Sequence, residues 1–332
     1  MKNDFQIPLV SIITPVFNHE QYLEQYFNSI LIQDYENIEL IIIDDASTDQ
    51  SWNVILEKEQ YLKNRNIKTR FSRNDKNIGL LKSMESLIEY INGDYVKILE
   101  SDDFLHKSMI TNSVEYLVEN ENFSSVHSDI NMKYDDKTIE RYWKSKGKKI
   151  PVGEIFQDLL NDNFIYTCSL LVKSEYFFMY CKIEEYYKKK YLTMDYPFCL
   201  DLSYNTKIGY INRALSTYRV VKNSISHPVD IKEEFEWKNS YYRIKIDYLK
   251  KYGAKVEIAN RLKRQFHYNQ FNYGYQLGDL TLYREGFFWL LKNHKKFNSI
   301  RNWIKYFIII LKHVCKAGYM SAYKMTKLKS PF

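Results

Sequence analysis

Glycine and proline are scarce in this chain, with 10 Gly and 6 Pro among 332 residues. Low glycine counts against a dinucleotide-binding protein, in which several glycines let backbone approach a pyrophosphate. Neither G-x-G-x-x-G nor G-x-x-x-x-G-K-[ST] occurs, so a phosphate-bearing ligand must be held some other way. The four cysteines, Cys168, Cys181, Cys199 and Cys315, lie far apart without metal-ligand spacing. They fit reduced thiols in a cytoplasmic protein rather than the disulfide framework of a small secreted domain. No run reaches the ~20 apolar residues of a membrane-spanning helix. The opening MKNDFQIPLV carries no apolar signal core, so the expected location is cytoplasmic.

What is present suits a globular protein. Hydrophobic residues make up 45% of the chain, and aromatics reach 16%, with 30 Tyr. Charge is unevenly placed. Residues 230–332 hold 21 Lys and Arg against 8 Asp and Glu, a net +13 that leaves the preceding residues at −6. This asymmetry separates a catalytic domain over 1–228 from a basic, helical extension over 229–332, with Pro228 as the nearest punctuation. Within the first part, residues 8–105 and 106–228 read as two halves.

The first hundred residues alternate strand and helix. Val10 to Thr14 is an apolar strand stopped by Pro15, and Tyr22, Leu23, Tyr26, Phe27, Ile30 and Leu31 follow at helical spacing. Ile38 to Ile43 is a second strand, ended by Asp44-Asp45-Ala46-Ser47-Thr48-Asp49. A helix over 51–63, a short strand around Thr69-Arg70-Phe71, and a helix from Leu81 to Ile91 come next. Asn92-Gly93-Asp94 breaks that helix, and Tyr95 to Leu99 leads into Glu100-Ser101-Asp102-Asp103. The pattern predicts a mostly parallel α/β sheet flanked by helices. Between 125 and 225 the reading is less regular, with strands expected over Ser124–His127, Cys168–Val172 and Tyr210–Val221.

Both acidic clusters fall at strand carboxyl ends, where ligands of such sheets sit. A nucleotide diphosphate concentrates negative charge, and without a P-loop a carboxylate-held Mg²⁺ or Mn²⁺ can neutralise it. Asp102 and Asp103 are placed for that task. Each Asp pair alone suits a helix cap or Asx turn equally well. Together, 58 residues apart at the ends of two strands, they favour a nucleotide site.

These segments resemble the family 2 glycosyltransferases: Ser11-Ile12-Ile13-Thr14-Pro15-Val16-Phe17-Asn18, Ile42-Ile43-Asp44-Asp45-Ala46-Ser47-Thr48-Asp49, Asn77-Ile78-Gly79, and Gly93-Asp94-Tyr95 ahead of Ser101-Asp102-Asp103. The likeness extends over about residues 8–225 and implies the GT-A fold. It implies a base pocket lined by Pro15, Phe17 and the neighbouring Asn18, with Asn77 and Gly79 nearby. Asp45 would accept from the base, and Asp44 would support it. Asp102 would face ribose, sugar or metal, and Asp103 would be the principal metal ligand. Many relatives carry Asp at the position of Glu100.

The resemblance also implies inversion by single displacement, with a carboxylate removing the acceptor's proton. Thr193-Met194-Asp195-Tyr196-Pro197-Phe198 matches the region that supplies this base. Asp195 is therefore the expected base, with Asp201, Glu184 and Glu185 as rivals, although Met194 stands where relatives carry an acid. Farther on, Tyr218-Arg219 to Ser226-His227 resembles the family's closing segment. Arg219 or Lys222 would face the diphosphate, and His227 is a further metal candidate.

Residues 281–332 contain 11 Lys and Arg and one acidic residue, Glu285. Phe287 to Leu291 and Trp303 to Leu311 are interleaved with Lys292, Lys295, Lys296, Arg301, Lys312 and Lys316. Such a stretch suits a helix lying on an anionic membrane surface, or one packing its apolar side inward. No recognised nucleic-acid module accompanies it, so no nucleic-acid partner is expected. The expected function is transfer of a sugar from a nucleoside-diphosphate sugar, with UDP as the expected nucleotide, to a glycan or lipid-linked acceptor in bacterial surface polysaccharide or lipopolysaccharide synthesis at the cytoplasmic face of the inner membrane. Sugar-phosphate nucleotidyl transfer, or an inactive nucleotide- or glycan-binding scaffold, is the alternative.

Overall fold

The computed structural model of the protein describes residues 7–294, 302–305 and 307–310. The chain divides into two compact units, Met1–Lys222 and Asn223–Phe332. The first opens with β1 (Val10–Val16), α1 (Glu20–Leu31), β2 (Ile38–Asp44), α2 (Ser51–Asn64), β3 (Lys68–Arg73), α3 (Leu80–Ile88) and β4 (Tyr95–Ile98). It continues with β5 (Phe104–Leu105), α4 (Met109–Glu119), β6 (Phe123–Lys133), β7 (Thr138–Ile139), α5 (Tyr142–Ser145) and α6 (Phe156–Asn161). A 3₁₀ turn at Thr167–Ser169 precedes β8 (Leu171–Lys173), α7 (Ser174–Tyr180), α8 (Ile183–Lys188), α9 (Asp195–Asn205) and β9 (Lys207–Arg219).

The strands form one sheet in the order β3-β2-β1-β4-β8-β6-β9-β5, with β7 beside β6. From β3 to β4 every pairing is parallel; β8 then joins β4 and β6 antiparallel, and β6 and β9 run parallel. Every residue of β2 and β4 is buried, as in a sheet covered on both faces. The α1 residues Leu23, Tyr26, Phe27 and Ile30 recur at helical spacing and join Ile12, Leu40 and Ile42 in the core. Each such fully buried aliphatic side chain stabilises the fold by about 1.5–3 kcal/mol.

Two glycines serve the geometry of the site. A Cβ on Gly93 would lie 2.5 Å from Ser11 Oγ and 2.7 Å from the Leu9 carbonyl, so only glycine lets this turn approach β1. Gly93 N–H donates to Ser11 Oγ, and Asn92 N–H donates to Glu39. These bonds turn the chain away from helix, and α3 ends at Ile88 instead of reaching Ile91. Gly79, at φ +86°, precedes α3 in a conformation that favours glycine.

Where a strand is predicted from Cys168, the chain instead makes the 3₁₀ turn. Buried Lys97 explains the difference. Its Nζ donates to the Thr167 carbonyl at 2.7 Å and the Leu170 carbonyl at 3.1 Å, withdrawing both from any strand ladder.

The second unit contains α10 (Ile231–Tyr252), α11 (Val256–Leu277) and α12 (Leu280–Asn293), with further helical residues at 302–305 and 307–310. Asp230 caps α10 and Asp279 caps α12 through their carboxylates. Phe271, Tyr283, Phe287, Leu290 and Ile309 form its buried core, so part of the apolar sequence considered for a membrane surface packs inward. Phe288, Ile304 and Phe307 remain exposed. Lys295, Lys296, Arg301, Lys312 and Lys316, like Cys315, lie outside the described residues. No helix among the described residues is long and apolar enough to cross a membrane.

Candidate active site

β1 lies between β2 and β4, and the chain fills one side of it before crossing to the other. Such a reversal opens a crevice at the strands' carboxyl ends. Three loops meet at this edge. Asn18 N–H donates to Ser47 Oγ at 2.9 Å, and Asn18 Oδ1 accepts from Thr48 N–H at 2.8 Å. His19 Nδ1 lies 2.6 Å from Ser101 Oγ, and Ser101 also donates to the Pro15 carbonyl. The β1, β2 and β4 loops are thereby tied together.

At the end of β4, Glu100, Asp102 and Asp103 crowd one another. Glu100 accepts from Thr167 Oγ1 at 2.6 Å, while its buried Oε2 has no hydrogen-bond partner. Burial pushes the Glu100 carboxyl up to about 7, and the charges of Asp195 and Asp102 add to the rise. Asp103 is 2% exposed and accepts from Arg219 N–H at 2.8 Å. Burial, then the neighbouring Asp102 and Glu100, raise its carboxyl well above the usual range. Asp102 stays partly exposed, and no protein donor reaches its carboxylate among the described residues.

Asp195 opens α9, next to this group. Its carboxylate accepts from Thr193 Oγ1 and from backbone N–H groups at the start of the helix. Burial nevertheless raises its pKa, because desolvation of the charged form outweighs those bonds. The influence of Asp195 on Glu100 puts the two carboxyls in one electrostatic neighbourhood.

The sequence signature of the Glycosyl transferase family 2 matches residues 11–178, from β1 through α7. This chain belongs to that family. An uncharacterised glycosyltransferase of Haemophilus influenzae is 26% identical over 263 residues, covering 76% of this chain and 78% of that protein. TuaG of Bacillus subtilis, a putative teichuronic acid biosynthesis glycosyltransferase, is 26% identical and covers 66% of this chain and 82% of its own. Among solved structures, residues 1–349 of Staphylococcus aureus TarS in complex with UDP-GlcNAc match with a TM-score of 0.55 at 15% identity. That match covers 81% of this chain and 75% of TarS. The mannosyltransferase PcManGT of Pyrobaculum calidifontis, in complex with GDP-Man and Mn²⁺, matches with a TM-score of 0.55 at 12% identity. Here 97% of this chain and 84% of PcManGT are covered. At these identities the structural likenesses speak for the GT-A fold alone.

In this family 2 glycosyltransferase the expected residues fall into three groups. Asp102 and Asp195 share one acidic neighbourhood with Glu100. Pro15, Asn18, Asn77 and Gly79 lie in β1 and the loops at the strand ends, and Phe17 is 42% exposed there. The third group turns inward. Asp45, 3% exposed, does not present its carboxylate to a base: Oδ1 accepts from Asn74 Nδ2 and Ile78 N–H, and Oδ2 from Gly79 N–H, at 2.8–2.9 Å. It holds the turn from Asn74 to Gly79. Asp44 is wholly buried and bonds Ser47 N–H and Arg73. Its Oδ1 is buried without a partner, so Asp44 shapes the loop and offers nothing to solvent. Asp103, expected as the principal metal ligand, is an interior group, and Asp102 is the accessible carboxylate of the pair.

Arg219 is positioned by its surroundings. Its Nε donates to the Asp102 carbonyl and its Nη2 to Gln25, and the guanidinium lies 4.9 Å from the Tyr22 ring centre. Lys222 forms an exposed ion pair with Asp135. The rival bases are placed elsewhere. Asp201 is buried within bonding distance of the Tyr186 hydroxyl, and Glu184 and Glu185 pair with Lys188 and Lys189 on the surface of α8. His227 belongs to the second unit, with its ring nitrogen 2.9 Å from Ser226 Oγ.

Three contributors escaped the sequence reading. His19 bridges to the acidic loop through Ser101; burial lowers its pKa, partly opposed by Asp102 and Asp49, so its ring is biased toward neutrality. Thr167 holds Glu100, and Lys97 fixes the turn that carries Thr167. The one available signal was His19, which directly follows the Pro15–Asn18 segment; the other two act across 67 and 70 residues.

Proposed function

We propose that this glycosyltransferase moves a sugar from a nucleoside-diphosphate donor, UDP-linked, to a hydroxyl of a glycan or lipid-linked acceptor in bacterial surface polysaccharide synthesis, with inversion at the anomeric carbon. The observation that carries this reading is the acidic group at the end of β4, where the partly exposed Asp102 and the desolvated Asp195 both act on the buried Glu100. The UDP-GlcNAc complex of TarS and the teichuronic acid assignment of TuaG favour the donor and acceptor classes. PcManGT binds GDP-Man, which makes the GDP-sugars the first alternative donors.

In this reading Pro15, Phe17, Asn18, Asn77 and Gly79 line the nucleotide pocket, shaped from beneath by Asp44 and Asp45. Asp195 accepts the proton of the attacking hydroxyl as the bond to C1 forms and the bond to the diphosphate breaks. A raised pKa makes its carboxylate a stronger base than an exposed Asp. Arg219 faces the leaving diphosphate, held in place by Gln25 and the Asp102 carbonyl.

A divalent cation fits this site in a limited sense. Among the described residues no three His, Cys, Asp or Glu side chains converge as a preformed centre. The hard, accessible Asp102 carboxylate suits Mg²⁺ or Mn²⁺, which commonly take one or two carboxylates and complete their shell with phosphate and water. Asp102 would hold the ion, which when bound neutralises charge on the departing diphosphate.

We further propose peripheral attachment to the cytoplasmic face of the inner membrane through the basic segment 281–332, favoured by the exposed Phe288, Ile304 and Phe307. Donor turnover tests the chemistry. Wild type should release nucleoside diphosphate from UDP-sugars with Mn²⁺ present, and Asp102→Ala and Asp195→Asn should lose that release or the transfer it supports. Pyrophosphate formed from NTP and sugar phosphate would refute sugar transfer.

A further inference from the structure

We infer that the second unit carries a binding cleft for an anionic oligosaccharide, built between α10, α11 and α12. The inference rests on the proposed sugar transfer only for its biological sense: the ligand would be the chain of the growing acceptor.

Two cavities, of about 530 and 520 Å³, open in this unit. Arg264 lines both. Lys238, Tyr242 and Ile246, four residues apart along one face of α10, serve the first, first and second cavity in turn. On α12, Leu290 and His294 face the first and Trp289 and Asn293 the second, each pair again four apart.

The chemistry of the walls identifies its class. Among the described residues, Leu290 and Ile246 are the only aliphatic side chains in the two linings, against a majority of polar and aromatic groups. Amides and tyrosines dominate the first cavity, among them Gln265, Asn272, Gln276 and Tyr268. These groups match a polyol, which offers donors and acceptors in equal measure. In the second cavity His267 stacks on Trp289 with ring centres 4.2 Å apart and planes 18° from parallel. A flat aromatic surface of this kind suits the C–H face of a pyranose.

Among the described residues no carboxylate lines either cavity. The charge of Lys238 is matched by Glu234 at 2.5 Å, but among the described residues Lys263 and Arg264 have no ion pair. The excess positive charge calls for an anionic ligand.

Asn269 adds a buried amide to the first wall. Its side chain lines the first cavity, the residue is 7% exposed, and the buried Nδ2 has no hydrogen-bond partner. Nδ1 of His294, in the same wall, is likewise buried and unmatched.

Calorimetric titration of the full-length protein tests this, with tetragalacturonate and a phosphorylated maltotetraose as anionic probes. Maltotetraose serves as the neutral probe, and vesicles of phosphatidylglycerol and phosphatidylcholine as the lipid probe. At least one anionic oligomer should bind, more tightly than maltotetraose and more weakly as salt rises. The stronger of the two tells carboxylate from phosphate. The exposed-residue variant Arg264→Ala should weaken binding about tenfold, as expected for one charged hydrogen bond. Asn269→Leu should weaken it similarly, with its melting curve checking the fold. Both variants should hydrolyse donor at the wild-type rate. Equal binding of maltotetraose, absence of oligosaccharide binding, or loss confined to vesicles would overturn the inference. Anionic oligosaccharide binding in a protein with no donor turnover would leave the cleft standing while removing the proposed sugar transfer.

Discussion

Replacing Asp45 with Asn separates a carboxylate that holds a turn from one that holds a ligand. Oδ1 of Asp45 accepts from Asn74 and Ile78, and Oδ2 from Gly79 N–H just before α3. An Asn that keeps its oxygen in the Oδ1 position turns an amide N–H toward Gly79 N–H. One charge-assisted bond is lost and a nearly buried donor is left unmatched, costing about 2–3 kcal/mol. Loss of negative charge beside the positive end of α3 adds about 0.3–1 kcal/mol. The sum is about 3 kcal/mol, and burial at this site leaves little solvent screening to reduce it. For a unit of this size the melting temperature of the first unit should fall by about 6–12 °C. Circular dichroism measures the melt, and calorimetry measures UDP affinity at a temperature where the variant is folded. A large fall in stability with measurable UDP binding is expected. An unchanged melt with abolished UDP binding would refute the reasoning and make Asp45 a direct nucleotide contact.

Asp195→Asn should lower kcat by about 10²–10⁴ with UDP affinity unchanged, as expected for loss of a general base; equal turnover would exclude that role. Because burial raises the Asp195 pKa, kcat/KM should rise with pH through a limb above the ordinary carboxylate range, and a limb within that range would contradict the assignment. Asp103 also has a raised folded pKa, so its contribution to stability is present below the usual carboxylate range and is lost as pH rises through the folded value. Asp103→Asn keeps an acceptor for Arg219 N–H and should flatten this dependence, leaving stability at pH 8 equal to or above wild type; chemical denaturation at pH 5 and 8 measures both. Gly79→Ala forces a side chain into a positive-φ conformation and should cost about 1–3 kcal/mol in the same denaturation experiment.

The parallel half of the sheet was legible because β1, β2 and β4 are buried and read as short apolar runs, β1 stopped by Pro15 and β2 and β4 by acidic residues. Their common carboxyl edge followed from the strand-helix alternation. The aim of each carboxylate did not follow. Asp44 and Asp45 are adjacent in a single motif, yet one bonds Arg73 and the other a turn about thirty residues ahead. Asp102 and Asp103 differ in the same way, and only the pairing of β5 with β9 reveals why. That pairing brings Arg219 N–H onto Asp103 and leaves Asp102 outward. In the mixed half of the sheet, the parallel pair β6 and β9 carries register shifts around Ser128, Asp129 and Ile130. No simple alternation survives such bulges. The Thr167 turn depends on a buried lysine 70 residues earlier.

At the centre stands the proposal that Asp102 and Asp195 flank one donor sugar diphosphate. Anomalous diffraction from crystals grown with a UDP-sugar and Mn²⁺ tests it most directly. The expected result is a manganese peak coordinated by Asp102 and both phosphates, with Asp195 facing C1 from the side opposite the diphosphate. A donor bound with its sugar turned away from Asp195, or manganese held without Asp102, would contradict it.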